Sequence, residues 1–130
     1  MKIYFCLLLF FISFTSFSQS KDPFYWDHVH HQSRLIVNSY DTTVVGKVLN
    51  ISRKLDGDYH LIIQSDSTHT IVAEIICACR GIMSACRGYT NNITIPKVGD
   101  YVRIIGDSVT DKNHNDLPEI HPVKMLTILH

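Results

Sequence analysis

The fold is decided at residues 59–77, which read YHLIIQSDSTHTIVAEIIC. Two mainly apolar runs, residues 59–65 and 70–77, flank the polar segment 66–69. In the first run, apolar and polar side chains alternate with a period of two, which is typical of a β-strand that buries one face. A short polar segment between two such runs is typical of a hairpin turn. The stretch therefore predicts an antiparallel β-hairpin.

The register of this hairpin follows from the cost of burying charge. If Leu61 faces the core, its cross-strand partner is the apolar Ala73, and His60 then lies opposite Glu74. A slip by one residue would turn Glu74 onto the core face, where a carboxylate is costly to bury. We therefore predict a His60–Glu74 pair. The alternative interpretation is a solvated ion pair, which contributes under about 1 kcal/mol.

The alternating pattern continues on both sides of the hairpin. Further strands are predicted at residues 34–37, 42–51, 101–105 and 120–129. Gly46 indicates a bulge or a sharp coil in the first long strand, and Pro122 limits the start of the last strand to an edge or a bulge. Glycines and cysteines at residues 78–92 indicate a short helical or irregular insert between the third and fourth strands.

Five main strands, a bulged first strand and an insert in this position predict an all-β protein, specifically an OB-like Greek-key barrel. The alternative, a β-sandwich, normally needs more strands. We expect this domain to occupy residues 41–130, preceded by a lead-in segment at residues 20–40.

The first residues have the pattern of a secretory signal peptide. Lys2 precedes the almost wholly apolar run 3–14, and small and polar residues follow it. The run is shorter than the roughly 20 apolar residues that span a membrane. We therefore expect a signal peptide at residues 1–19, a periplasmic or extracellular location, and no transmembrane span after its removal.

Export would place the cysteines in an oxidising compartment. The chain after residue 19 carries Cys77, Cys79 and Cys86. Cys77 and Cys79 are too close in sequence to pair comfortably, so Cys86 pairs with one of them. We predict the Cys77–Cys86 disulfide, in which case Cys79 has no cysteine to pair with. A thiolate zinc site is the weaker interpretation, because the paired C-x₂-C spacing of structural zinc sites is missing.

Two short motifs carry a resemblance to known proteins. D-G-D-x-H at residues 56–60 and E-I-H-P-V at residues 119–123 resemble motifs of small exported bacterial OB-fold-like proteins of unassigned activity. The resemblance covers most of the chain after the signal peptide. It implies an OB-like fold and implies no particular reaction.

Several histidines and carboxylates are candidates for a metal site. Glu119 and His121 are two residues apart on one strand and project from the same face. If that strand lies beside the hairpin, five residues can converge: His60, Glu74, His114, Glu119 and His121. Nitrogen and oxygen ligands suit a divalent ion such as zinc. Alternatively, His121 is a partly buried residue that is bonded to the backbone or to Glu119.

Charge and motifs narrow the classes of function. Lys and Arg number 12, as do Asp and Glu, and this zero net charge makes nucleic acid an unlikely partner. Tyr59, Tyr101 and Arg103 are candidates for binding a ligand by stacking and hydrogen bonds. Because nucleophile-elbow, H-E-x-x-H and phosphate-loop motifs are missing from the sequence, we predict no catalytic residue.

These observations predict an exported, non-enzymatic binding module whose barrel face holds an unknown small ligand, a glycan or an envelope protein. One alternative is a divalent-metal-dependent hydrolase that uses the His/Glu site. The other alternative is a structural component of an envelope assembly.

Overall fold

A computed structural model describes residues 19–66, 68–78, 84–86 and 88–130. The predicted signal peptide, apart from its last residue, lies outside the described residues, and so does Cys79. In the part of the chain that is described, no helix is both long enough and apolar enough to cross a membrane.

The described chain is all-β, as predicted, and its strands form one mixed sheet that closes into a ring. The strands are β1 Leu35–Arg53, β2 Tyr59–Gln64, β3 Thr70–Ile75, β4 Tyr101–Asp111 and β5 Leu117–Leu129. Their order around the ring is β1-β2-β3-β5-β4, and β4 pairs back with β1. The β3–β5 pair is parallel and the other four pairs are antiparallel. Short helical segments are α1 Pro23–Trp26 and the 3₁₀ turns Gln32–Arg34 and Ser84–Cys86.

The long strands extend further than their side-chain pattern indicates. The prediction of separate strands at 34–37 and 42–51 is wrong, because β1 runs without a break from Leu35 to Arg53. β4 likewise continues to Asp111 and β5 begins at Leu117. Neighbouring strands pair with these polar stretches, so their backbone groups stay hydrogen-bonded even where alternation is lost.

Gly46 lies where β1 coils tightly against β2. A Cβ atom at this position would collide with the backbone carbonyl of Gln64, so only glycine fits without a shift. The register shift between β1 and β2 lies between Val48 and Asn50, just after this close approach. The predicted irregularity in the first long strand is therefore confirmed.

The core has two parts. Buried side chains from all five strands form the main cluster, whose members are Val48, Leu61, Ile63, Ala73, Ile75, Val102, Ile104, Ile120 and Val123. A smaller cluster contains Trp26 and Val29 of the lead-in segment, packed with Leu35 and Val109. The indole Nε1 of Trp26 donates to Oδ2 of Asp107 at 2.7 Å, so the buried ring has its polar partner.

Two local predictions are confirmed. The hairpin register pairs His60 with Glu74 and Leu61 with Ala73. Cys77 and Cys86 form a disulfide, with 5.4 Å between their Cα atoms. The disulfide joins the chain just after β3 to the turn Ser84–Cys86, the one regular element in the described part of the predicted insert.

Candidate metal centre

The strand arrangement brings the last strand beside the hairpin. β5 runs parallel to β3 with Ala73 opposite Ile120. The next residues along the two strands, Glu74 and His121, therefore become neighbours. Nδ1 of His121 lies 3.1 Å from Oε2 of Glu74. The other carboxylate oxygen, Oε1, lies 3.2 Å from Nε2 of His60.

The contacts continue from His121 towards the β4–β5 turn. Oε2 of Glu119 lies 3.9 Å from Nδ1 of His121, and Oε1 is hydrogen-bonded to Nδ1 of His114 at 3.1 Å. His114 also lies 3.3 Å from Oδ2 of Asp111, which in turn lies 3.0 Å from Nε of Arg34. Imidazoles and carboxylates therefore alternate along a continuous row of contacting side chains that begins at β2. All five predicted metal-site residues belong to this row.

The central side chains of this row are buried. Glu74, Glu119 and His121 are each at most 2% exposed. Oε1 of Glu74, Oε2 of Glu119 and both ring nitrogens of His121 have no hydrogen-bond partner among the described residues, although other polar atoms of the site lie close to them. Buried polar atoms are nearly always hydrogen-bonded in proteins, so a group of exceptions needs a water molecule or an ion. His60 and Glu74 therefore do not form the solvated ion pair that was the alternative interpretation, because the carboxylate of Glu74 is buried.

The structure adds two carboxylates that are not among the five predicted metal-site residues. Asp58, which is 3% exposed, can present a ligand atom within 4.8 Å of ligand atoms of Glu74 and His121. Its Oδ1 accepts a hydrogen bond of 2.7 Å from the backbone N–H of Cys77. The sequence spacing could have indicated Asp58 as a site residue, because it precedes His60 by two residues, the spacing of side chains that share one face of a strand. The second addition is Asp111, which is fully buried.

Asp111 belongs to a second group of potential ligands. Asp111, His114 and Glu119 each offer a ligand atom, and these atoms also lie within 4.8 Å of one another. A third group combines Asp58 with the two cysteines of the disulfide. Because their sulfur atoms are bonded to each other, these cysteines provide no thiolate ligand. Two groups of nitrogen and oxygen donors remain.

Burial and crowding shift the pKa values of this cluster. Burial raises the pKa of Asp58 to about 7. Burial and the charge of Glu74 raise the pKa of Glu119. Burial alone would also raise the pKa of Glu74, but the neighbouring His60 and His121 outweigh it and hold that pKa below its usual range. Burial lowers the pKa of His121, which favours the neutral ring that can bind a metal ion.

The cluster is accessible from solvent through a cleft with a volume of about 270 Å³. His60, Glu74, His114 and His121 line it together with Asp58. A divalent ion without its water shell is far smaller than this volume, so water molecules or a small ligand can lie beside it. Nitrogen and oxygen donors of this kind suit zinc and similar divalent ions.

The three residues predicted to bind a ligand lie elsewhere. Tyr101, which is 55% exposed, lines a separate pocket of about 220 Å³ with Gln64 and Asp66. Arg103 is exposed two residues further along β4. Tyr59 packs against the main core cluster instead. None of the three is among the described residues that line the cleft.

No family model matches the chain, and no curated protein matches it significantly. Both motifs that carry the resemblance contribute to the cleft. D-G-D-x-H provides Asp58 and His60, and E-I-H-P-V provides His121, with Oε2 of Glu119 at 3.9 Å from its Nδ1. These motifs meet because β5 lies beside the hairpin.

Proposed function

We propose that this protein binds a divalent metal ion of the zinc class through Asp58, Glu74 and His121. The observation that carries the proposal is the state of His121. The ring is 2% exposed, and neither of its nitrogens has a hydrogen-bond partner among the residues described. Burying an imidazole in this way is costly unless a ligand engages it.

The chemistry of the three side chains supports such an ion. Two carboxylates and an imidazole carry the net negative charge that a divalent cation needs, and zinc sites commonly combine these ligands. His60 contacts Glu74 from the side away from His121, since the two rings approach different carboxylate oxygens. In this position it orients Glu74, as the partners of metal ligands generally do.

The proposal gives the exported binding module a specific ligand. We further propose that the ring of strands is an OB fold. The support is the closed order β1-β2-β3-β5-β4, with its long, bulged first strand. Export is supported by the signal-like N-terminal sequence and by the Cys77–Cys86 disulfide, because such bonds persist in oxidising compartments.

A metal-dependent hydrolase is the second candidate. Three protein ligands leave a coordination position open, and the cleft leads from solvent to the site. A bound zinc ion at such a position lowers the pKa of a water ligand and makes it a nucleophile near neutral pH. Turnover of chromogenic ester or phosphoester substrates by the zinc-loaded protein, abolished in Asp58→Asn, would favour this candidate over simple binding.

The experiment that tests metal binding uses the full mature chain with its disulfide intact and no histidine tag. Metal-free protein is titrated with Zn²⁺ by calorimetry, and with Co²⁺ by visible absorption. We expect stoichiometric binding and a Co²⁺ spectrum of nitrogen and oxygen ligands, without the intense charge-transfer band of thiolates. Asp58→Asn keeps the oxygen that accepts from Cys77 but removes the charge, so it should weaken Zn²⁺ binding strongly.

The matched control is Asp66→Asn, in an exposed turn outside the cleft. It should bind Zn²⁺ like the unmodified protein. Failure of the unmodified protein to bind Zn²⁺ or Co²⁺ would refute the proposal. Equal affinities in Asp58→Asn and the unmodified protein would refute the assigned ligands.

A further inference from the structure

The group Asp111, His114 and Glu119 has the features of a site in its own right. Its three ligand atoms come from the end of β4, the following turn and the start of β5, and they lie within 4.8 Å of one another. Oδ2 of Asp111 and Oε2 of Glu119 are buried and have no hydrogen-bond partner among the described atoms. Glu119 itself is 1% exposed.

We propose that this group holds a second divalent metal ion and that Glu119 bridges the two ions. The inference rests on the proposed function, since it requires the first ion at Asp58, Glu74 and His121. Together the two groups form a dinuclear centre, of which Asp58, Glu74, His114 and His121 line the cleft.

Glu119 is placed to serve both groups. Its Oε1 faces His114 at 3.1 Å, and its Oε2 faces His121 of the first group at 3.9 Å. A carboxylate whose two oxygens point to ligands of different ions is the common bridge of two-metal sites, in which the ions lie roughly 3.5–4 Å apart. Among the described residues, neither carboxylate oxygen of Glu119 accepts a hydrogen bond from a backbone N–H.

The charge of the cluster also favours a second cation. The carboxylates of Asp58, Glu74, Asp111 and Glu119 are all buried. When all four are ionised, one divalent ion and Arg34, which forms an ion pair with Asp111 among the described residues, together leave one negative charge without a counter-charge. Unbalanced buried charge is costly.

The ion pair between Arg34 and Asp111 also predicts which of the two metal ions binds more tightly. Its Nε lies 3.0 Å from Oδ2 of Asp111, so a second ion has to share that oxygen with a guanidinium. His114 lies at the surface, with a side chain that is 44% exposed. The residues of the first group, by contrast, are at most 3% exposed. We therefore expect the first ion to bind more tightly than the second.

The test counts metal ions per chain. Metal-free mature protein is titrated with Zn²⁺ by calorimetry, and the zinc retained after gel filtration is measured by mass spectrometry. We expect two ions in two resolved steps. His114→Gln should leave the tight step unchanged and weaken the second by more than about 10- to 100-fold, the loss seen when a residue that only positions a metal ligand is changed. His114 is partly exposed in a turn, and circular dichroism will verify that this variant folds.

His69→Gln is the matched control, because His69 also pairs with a carboxylate in a turn but lies outside the cleft. It should bind two ions. A second readout tests the bridge: two Mn²⁺ ions joined by Glu119 should give an exchange-coupled paramagnetic resonance spectrum, which Glu119→Gln should lose.

Each failure has a distinct meaning. A single ion in the unmodified protein overturns the second site and leaves the proposed function standing, whereas no ion at all overturns both. Two ions of unchanged affinity in His114→Gln overturn the assignment of the second group. Two bound Mn²⁺ ions without exchange coupling overturn the bridge.

Discussion

At the scale of single residues, the site depends on polar side chains that have left water without forming ordinary hydrogen bonds. His121 is the clearest case, since its ring is buried beside the Glu74 carboxylate and neither ring nitrogen forms a hydrogen bond among the described residues. Such a residue lowers the stability of the metal-free fold, because desolvation is not compensated. The same residue gains the most when an ion arrives, so the cost of its burial is recovered on binding.

Asp58 should make the stability of the metal-free protein depend on pH. Its pKa is raised from 3.8 to about 7 on folding, chiefly by burial. A group with a raised pKa holds a proton in the folded state that the unfolded chain releases. Its stabilising effect is therefore complete below about pH 4 and is lost as the pH rises through 7. We expect the melting temperature of Asp58→Asn to fall less than that of the unmodified protein between pH 5 and pH 8.

Thermal unfolding in the presence of a chelator measures this difference. Asp66→Asn is the control, because backbone N–H groups, foremost that of Thr68, lower the pKa of Asp66 and keep it ionised throughout this range. Its melting temperature should therefore depend on pH between 5 and 8 in the same way as that of the unmodified protein, even if its absolute value is lower. Parallel pH profiles for Asp58→Asn and the unmodified protein would contradict the raised pKa.

At the scale of elements, the positions of β4 and β5 hold the site together. Gly106 of β4 lies against the segment of β5 that carries His121. A Cβ atom at Gly106 would collide with the carbonyl of Pro122 and lie 2.6 Å from Cγ2 of Ile120. The close approach of these two strands therefore depends on a residue without a side chain.

Gly106→Ala should consequently affect stability and metal binding together. We expect a loss of about 1–3 kcal/mol of unfolding free energy, the usual cost of overpacking, because backbone atoms have to move. The displaced segment includes His121, so Zn²⁺ affinity should also fall by at least tenfold. Denaturant unfolding and calorimetry measure the two effects.

Gly88→Ala serves as the comparison. A Cβ at Gly88 meets no atom within 4 Å, and its φ of 76° makes the substitution mildly strained. It should cost about 1 kcal/mol and leave Zn²⁺ affinity unchanged. An unchanged affinity in Gly106→Ala would show that the position of His121 tolerates a shift of β5.

At the scale of the whole molecule, the ligands connect parts of the ring that lie far apart in the chain. Glu74 belongs to β3 and His121 to β5, while Asp58 lies just before β2. Because these elements are neighbours only after the ring has closed, the unfolded chain does not present the complete site. An ion that binds only the folded state stabilises the whole ring.

Zinc should therefore raise the melting temperature. At a free concentration about 100 times the Kd, binding adds about 2.7 kcal/mol of unfolding free energy. For a domain of this size that corresponds to a rise of about 10 °C. Calorimetric melting with and without Zn²⁺ measures it. Asp58→Asn should show a much smaller rise, and an equal rise would point to binding outside the cleft.

Much of the local structure followed from the sequence. The period of two at residues 59–65 and the polar turn at 66–69 predict the hairpin, and the pairing of Leu61 with the apolar Ala73 predicts its register. Glu74 is nevertheless buried in this register, so the cost of burying its carboxylate does not by itself explain the pairing. The disulfide partners followed from spacing within a short segment. These features depend on residues that are near one another in the chain, so their pattern is visible without the fold.

Tertiary structure decided the rest. β1 and β4 continue through stretches without alternation because their hydrogen-bond partners lie on distant strands. Asp58 joins the site beside residues that are distant in the chain, and Asp111 joins it across the β4–β5 turn; neither the D-G-D-x-H motif nor the loop sequence indicates these contacts. Above all, the parallel pairing of β5 with β3 places His121 beside Glu74. A non-local pairing of this kind depends on how the whole ring closes, and side-chain periodicity carries no information about which strands become neighbours.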